Sequence, residues 1–192
     1  MLERWLAEVL ATPGLTALDV PAEARRVLLD DALAGVALVG RSEGPIVDVG
    51  SGGGTPGIPL AHALPERDVT LLEAERRKTD FLQRWTAELP NLRVVWGRAE
   101  GQPTETYGIA VAKALAPPPV AVEWCLPLVR EGGTVVLWVG PSANLDAVGV
   151  ASAQVAGELV ESPPGFAVVR KVGPTPEGFP RRPGMAKKRP LA

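Results

Sequence analysis

The sequence predicts an α/β fold in which helices cover both faces of a central, mostly parallel sheet. Short apolar runs alternate with helical patterns through the middle of the chain, as expected of β-α-β units. These runs are apolar throughout instead of alternating with polar residues, which is typical of strands buried on both faces. The 192 residues fit one domain, and 46% hydrophobic with 22% charged residues is the composition of a folded globular protein.

Two helices are predicted before the first strand. Apolar residues recur at helical spacing from Leu2 to Leu10, and Pro13 with Gly14 stops that helix. The second helix is predicted over residues 22–39, with Pro21 suited to its first turn. Residues 1–40 are therefore expected to form a short helical cap at the N-terminus.

Seven strands follow in the prediction. Five are short buried runs, and the last two are joined by a turn-prone Ser-Pro-Pro-Gly segment that predicts an antiparallel hairpin at the end of the sheet. The five runs cover residues 46–49, 69–72, 94–96, 109–112 and 135–138, and the hairpin strands cover 158–160 and 166–169. Four tryptophans lie within these helix and strand patterns and are expected in the core. They are Trp85, Trp96, Trp124 and Trp138.

Several classes of protein are excluded or disfavoured by composition. Cys125 is the single cysteine and His62 the single histidine, so neither a disulfide nor the usual zinc ligand set is available, and we expect no metal site. No uncharged stretch reaches the roughly 18 residues of a membrane helix, and no basic region leads into an apolar run at the N-terminus. We expect a cytoplasmic, monomeric enzyme without a membrane partner.

Charge is distributed unevenly along the chain. Residues 170–192 contain seven basic residues and one acidic residue, a net charge of +6, whereas the preceding part contains thirteen basic and twenty-one acidic residues, a net charge of −8. A basic tail on an acidic body is one signature of nucleic-acid contact. The alternative is a tail that only improves solubility.

The residues that indicate chemistry begin at the end of the first strand, where the sequence from Asp48 reads D-x-G-x-G-x-G. Gly50, Gly52 and Gly54 allow a sharp turn and a close approach of the backbone to a ligand. Such loops lie at the carboxyl ends of strands, where open α/β sheets bind their ligands. The loop has no lysine, which excludes a triphosphate-binding P-loop, and it fits the dinucleotide pattern only weakly.

Two further features narrow the choice of cofactor. Glu73 ends the second strand, where a carboxylate can accept hydrogen bonds from two ribose hydroxyls, as in both NAD and S-adenosylmethionine sites. Asp48 resembles the first motif of class I methyltransferases, where it helps to hold the loop and the amino-acid end of the cofactor. The Gly-Arg-Ala-Glu turn at residues 97–100 lies where such enzymes contact adenine.

The segment from Ile46 to Leu60 closely resembles the rRNA small-subunit methyltransferase G family, and its Pro-Gly-Ile-Pro-Leu extension is the distinguishing part. Further matches cover residues 69–73, 76–82, 97–100 and 179–191. The resemblance implies a Rossmann-like class I methyltransferase with a seven-stranded sheet. It implies a cap over 1–40, a core over 41–172 and a basic tail over 173–192 within a single domain of 1–192.

The resemblance also implies a reaction and a set of site residues. The family transfers a methyl group from S-adenosylmethionine to N7 of a guanine in 16S rRNA, so 16S rRNA or the small ribosomal subunit is the expected partner. Lys113 is expected to position the substrate, with no general base, because N7 carries a lone pair and no proton. The cofactor residues would be Asp48, Gly50, Ser51, Gly52, Gly54, Thr55, Glu73, Arg98, Ala99, Glu100 and Lys113, and the RNA-binding residues Arg181, Arg182, Lys187, Lys188 and Arg189.

The chain departs from the family pattern in two places. Lys113 stands where the family has the arginine of an S-R-A motif, which keeps the charge but loses the planar fork. The cap is shortened and lacks both an N-L-T motif and the histidine that precedes L-D-S, here Leu29-Asp30-Asp31. Two alternatives therefore remain: a relative with lost or altered activity that serves as a ribosome-associated binding module, and a methyltransferase for a small molecule.

Overall fold

The computed structural model describes residues 1–192, and its centre is one seven-stranded sheet in the order β3-β2-β1-β4-β5-β7-β6. Strands β1 to β5 are parallel, and β7 runs antiparallel to both β5 and β6. The predicted sheet and its terminal hairpin are confirmed. The strands are β1 Ile46–Val49, β2 Val69–Glu73, β3 Leu92–Trp96, β4 Tyr107–Lys113, β5 Val129–Trp138, β6 Gly157–Glu161 and β7 Phe166–Lys171.

The strand order creates a crevice beside β1. Strands β2 and β3 follow β1 on one side, whereas β4 lies on the other side of β1. The connections that leave β1 and β4 at their carboxyl ends therefore diverge, and ligands of open α/β sheets bind at such a point.

Helices pack on both faces of the sheet because successive strand residues point to opposite sides. Ile46 belongs to an apolar cluster with the N-terminal helices, and Val47 belongs to a second cluster with the helices after β4. The α-helices are α1 Leu2–Ala11, α2 Pro21–Ala24, α3 Asp31–Ala34, α4 Val36–Val39, α5 Gly57–Ala63, α6 Arg76–Gln83, α7 Pro118–Cys125, α8 Leu145–Gln154 and α9 Met185–Lys188. A π-helical segment spans Arg25–Asp30, and short 3-10 helices span Ala99–Gly101 and Leu126–Leu128.

The predicted second helix is present as a nearly continuous helical segment from Pro21 to Val39. Its one interruption is Gly35, where an added Cβ would lie 2.2 Å from the Trp138 ring. The Trp138 indole N–H donates to the Asp31 carbonyl at 2.8 Å. Glycine at position 35 therefore lets the end of β5 pack closely against the cap.

The prediction of a tryptophan core is correct for Trp85 and Trp138, which are 2% and 9% exposed, and Trp124 is partly buried. It is wrong for Trp96, which is 58% exposed. Trp96 is the last residue of β3, and β3 is an edge strand with a neighbour on one side only. No helix of this structure is long and apolar enough to span a membrane.

Candidate functional site

The loop after β1 turns through residues in the left-handed region of backbone space. Gly50 has a φ of +72° and Gly52 a φ of +56°, conformations that side chains other than glycine rarely adopt. At Gly50 an added Cβ would also lie 2.3 Å from Leu115 Cδ1. The turn therefore requires glycine at both positions, and the close packing of the loop after β4 is a second reason for glycine at position 50.

A cavity of about 590 Å³ lies beside this loop at the carboxyl ends of β1 to β4. Its volume is in the range of small-molecule and cofactor sites. Most of the residues predicted for the cofactor line this cavity, although they come from four separate segments of the chain. They are Gly50, Ser51, Gly52, Thr55, Glu73, Arg98, Ala99, Glu100 and Lys113.

Glu73 is held rigidly at the cavity wall. One carboxylate oxygen accepts the Gly52 N–H at 2.9 Å, and the other accepts the Glu75 N–H at 2.7 Å. Each carboxylate oxygen has a second lone pair, so both can still accept a hydrogen bond from a ligand hydroxyl. The arrangement suits recognition of two adjacent ribose hydroxyls.

Asp48 differs from the prediction because it does not line the cavity. Its side chain is buried behind the loop, where one carboxylate oxygen accepts the Gly57 N–H at 3.0 Å and the other has no hydrogen-bond partner. Burial raises the pKa of Asp48 to about 7. Asp48 therefore holds the loop from behind the cavity wall. Gly54 also does not line the cavity, and a Cβ added there would meet the side chains of Ile58 and Leu82.

Lys113 lines the cavity but is not free. Its ammonium lies 2.8 Å from a carboxylate oxygen of Asp31, and its side chain is only 11% exposed. Asp31 belongs to the N-terminal cap and was not predicted as a site residue. The sequence signal was available, because Asp31 stands at the position of the serine in the family's L-D-S motif.

The N-terminal cap contributes more to the site than the sequence suggested. Trp5 donates its indole N–H to the Gly53 carbonyl at 2.9 Å, and the Thr55 hydroxyl donates to the Leu28 carbonyl at 2.7 Å. Both bonds connect the cap to the glycine loop. The cap and the loop after β4 also give the cavity an apolar wall, formed by Leu15, Leu18, Val27, Leu28 and Leu115.

Arg181, which was predicted to contact RNA phosphates, is paired within the protein. Its guanidinium makes two hydrogen bonds of 2.6 Å to the carboxylate of Glu123, which is 2% exposed, and a third of 2.9 Å to the Arg189 carbonyl. This bidentate pair is an internal contact between the tail and α7. The sequence could not reveal it, because Glu123 and Arg181 are far apart in the chain.

The rest of the tail divides between the cavity and the solvent. Lys187 lines the cavity, with its ammonium 5.4 Å from the centre of the Trp124 ring, and the Gly184 N–H donates to Glu100 at 3.3 Å. Three further basic side chains of the tail are exposed, form no ion pair and do not line the cavity. They are Arg182, Lys188 and Arg189.

Solved structures of methyltransferases share this fold. A SAM-dependent O-methyltransferase from Thermotoga maritima aligns with a TM-score of 0.59 and 16% identity, covering 77% of this chain and 67% of that one. The 16S rRNA N2 methyltransferase of T. thermophilus, solved with AdoMet and guanosine, aligns with a TM-score of 0.51 and 17% identity, covering 74% and 40%. At these identities the likeness concerns the fold.

Sequence relatives are much closer. The ribosomal RNA small subunit methyltransferase G of Pelotomaculum thermopropionicum is 36% identical over 165 residues, covering 76% of this chain and 69% of the relative. The protein of the same name from Synechococcus elongatus is 34% identical over 199 residues, covering 93% and 82%. The family model described as rRNA small subunit methyltransferase G matches residues 2–160. The chain therefore belongs to the rRNA small subunit methyltransferase G family.

Proposed function

We propose that this protein transfers a methyl group from S-adenosylmethionine to N7 of a guanine in 16S rRNA. The observation that carries the proposal is the convergence of the glycine loop, Glu73, the turn at 97–100 and Lys113 on one cavity. These segments follow four different strands, and the first three match the family pattern, whereas Lys113 keeps only the positive charge of the family's arginine. Ribosomal RNA as the substrate would place the protein in the cytoplasm.

The cavity residues fit the parts of the cofactor. Glu73 would accept hydrogen bonds from the ribose hydroxyls, and the backbone from Gly50 to Gly52 would lie against the amino-acid portion. Ala99 and Glu100 would contact the adenine ring, whose amino group can donate to a carboxylate. When bound, the cofactor supplies an electrophilic methyl group on a positively charged sulfur.

The residues of the chain would act by positioning. Guanine N7 already carries an in-plane lone pair, so its attack on the methyl carbon requires no proton transfer from a side chain. The apolar wall formed by Leu15, Leu18 and Leu28 would hold a planar base and exclude water. Lys113, fixed by Asp31, would place a positive charge next to the base or a phosphate oxygen.

Contact with the RNA backbone would come from Arg182, Lys188 and Arg189, which are exposed and unpaired. Lysine and arginine bind phosphates without regard to sequence, so these residues would supply affinity, and the cavity would supply specificity. The partner would be 16S rRNA or the small ribosomal subunit.

A second candidate function is favoured by the ion pair between Lys113 and Asp31. An ammonium that is already neutralised and mostly buried is less available for substrate than an unpaired one, and it lacks the planar fork of arginine. The protein would then bind S-adenosylmethionine and the ribosome without transferring the methyl group, or would transfer it to a small molecule.

Methyl transfer with labelled S-adenosylmethionine distinguishes these functions. The acceptors are 30S subunits that lack the modification, the 16S rRNA extracted from them, and a mixture of small metabolites. We expect label in RNA, recovered as 7-methylguanosine after digestion to nucleosides. Binding of cofactor and 30S subunits without incorporation would support the binding module, and label in the metabolite fraction alone would overturn RNA as the substrate.

A further inference from the structure

One large aromatic side chain remains exposed next to the cavity. Trp96 is 58% exposed, whereas Trp5, Trp85 and Trp138 are between 0% and 9% exposed. The usual reason for a tryptophan in a strand is burial of its large apolar surface. Burial does not account for Trp96.

The Trp96 ring is nevertheless held in one orientation. Its indole N–H donates to the Ala74 carbonyl at 3.0 Å, so the polar atom of the ring is satisfied within the protein. The Arg76 guanidinium lies 5.0 Å from the ring centre, in the geometry of a cation–π contact. Because the ring is already ordered, stacking of a ligand on it would cost little side-chain entropy of Trp96.

The position of the ring relates it to the proposed active site. Trp96 ends β3 next to Glu73 of β2, and the following residues, Gly97 and Arg98, line the cavity. Arg98 is exposed and has no ion-pair partner. An aromatic face and an unpaired positive charge thus lie together at the edge of the cavity.

The surroundings of Trp96 favour a nucleic-acid partner over a protein partner. Protein-docking surfaces are contiguous apolar patches, and the other exposed large hydrophobic residues lie outside β3 and α6. Arg76, which also pairs with Asp80, lies over the Trp96 ring, and Arg98 stands two residues further along the chain at the cavity wall. Aromatic rings flanked by arginine are the surface on which unpaired bases of single-stranded RNA stack.

We propose that Trp96, with Arg76 beside it and Arg98 at the cavity edge, is a stacking platform for an unpaired RNA base that flanks the methylated nucleotide. This inference rests on the proposed function, because it takes RNA as the substrate. Arg98 would contact the phosphate next to the stacked base, and the target base would enter the cavity alone.

The test compares Trp96→Ala, Trp96→Phe and a control, Val150→Ala. Val150 is 54% exposed on α8, which packs beside β6 at the opposite edge of the sheet. The measurements are the affinity for single-stranded and duplex RNA oligonucleotides, the affinity for S-adenosylmethionine, and kcat and KM on 30S subunits. We expect Trp96→Ala to weaken binding of single-stranded RNA by roughly 5- to 150-fold and to raise KM. Trp96→Phe should retain most of the affinity, and the cofactor affinity and thermal midpoint should match the wild type.

Three results would overturn the platform. These are an unchanged affinity of Trp96→Ala for single-stranded RNA, an equal loss for duplex RNA, and a loss of cofactor affinity, which would assign the ring to the cofactor site. In each case the wild type would still methylate RNA. Failure of the wild type to bind or methylate any RNA would instead reject the proposed function.

Discussion

At the residue scale, the conformation of the glycine loop depends on a buried carboxylate that lies behind it. Asp48 accepts the Gly57 N–H from behind the loop, and its second oxygen is buried without a partner. An ionised carboxylate in such an environment is costly, because a buried charge loses its hydration. The loop is therefore held by a group whose protonation state is coupled to folding.

This coupling predicts a pH dependence of stability. The pKa of Asp48 is raised from 3.8 to about 7, so the native state binds one more proton than the unfolded state between these values. The free energy of unfolding should therefore fall by about 1.4 kcal/mol per pH unit as pH rises from about 5 to 6.5, and should level off above about 7. Asp48→Asn retains an oxygen for the Gly57 N–H and cannot ionise, so it should lack this component.

The measurement is urea unfolding of both proteins at several pH values between about 5 and 8. The difference between their free energies of unfolding should grow in favour of Asp48→Asn as pH rises. Parallel pH profiles would show that Asp48 keeps an ordinary pKa in the folded protein.

Individual site residues differ in how far sequence could predict them. Gly52 and Glu73 were predictable because their role follows from one strand and one turn. The pairing of Asp31 with Lys113 and of Arg181 with Glu123 was not predictable, because each pair joins segments that are distant in the chain. A sequence pattern specifies local backbone geometry, whereas the pairing of charges that are distant in the chain is decided by the tertiary structure.

At the element scale, the N-terminal cap acts as a brace for the glycine loop. Trp5 is fully buried, and its indole N–H is the hydrogen-bond donor to the Gly53 carbonyl. Trp5→Phe should cost about 1–3 kcal/mol of stability by leaving that carbonyl unpaired, in addition to the loss of packing. It should also weaken S-adenosylmethionine binding, because the loop loses one of its contacts.

Trp85→Phe is the matched control for this substitution. Trp85 is 2% exposed, and its indole nitrogen has no hydrogen-bond partner, so the same change removes ring area but no hydrogen bond. Calorimetry should show weaker cofactor binding for Trp5→Phe only. Equal cofactor affinities in the two variants would mean that the cap does not brace the loop.

The tail is anchored to α7 by the ion pair between Arg181 and Glu123. The carboxylate of Glu123 is buried under Arg181, so Arg181→Ala should leave a buried charge without its partner. Loss of one member of such a pair costs about 3–5 kcal/mol. Arg182→Ala, at the exposed neighbouring position, should change stability by no more than about 0.5 kcal/mol. Thermal or urea unfolding that finds equal effects for the two substitutions would contradict an anchored tail.

The elements themselves were largely predictable. The seven strands and the first two helical segments follow from apolar periodicity and from proline and glycine positions, which act locally. The exposure of Trp96 was not predictable, because β3 becomes an edge strand only through the order in which the strands assemble. Hydrophobicity alone cannot distinguish the last residue of an edge strand from that of a central one.

At the scale of the whole molecule, more basic than acidic residues line the cavity, although the chain has a net charge of −2. Lys187 lines the cavity, and the exposed residues Arg182, Lys188 and Arg189 belong to the same tail. An acidic body that carries a basic segment beside its site would orient RNA toward the cavity and repel it elsewhere.

Replacing Arg182, Lys188 and Arg189 together with alanine should therefore weaken RNA binding and flatten its dependence on salt. Each phosphate contact that is lost removes the release of about one counterion, so the slope of log affinity against log salt should fall by up to roughly two to three units. Cofactor affinity should be unchanged, because none of the three side chains lines the cavity.

The matched control replaces Arg41, Arg130 and Arg170 with alanine. These three residues line a second cavity at the opposite ends of the strands. It changes the net charge by the same amount, so an effect of total charge alone would appear equally in both variants. Fluorescence anisotropy with a 16S rRNA fragment at several salt concentrations gives both slopes. A flattened slope in the tail variant alone would assign the phosphate contacts to the tail. A flattened slope in the control alone would contradict this assignment and would indicate that RNA binds at the other end of the sheet, away from the glycine loop.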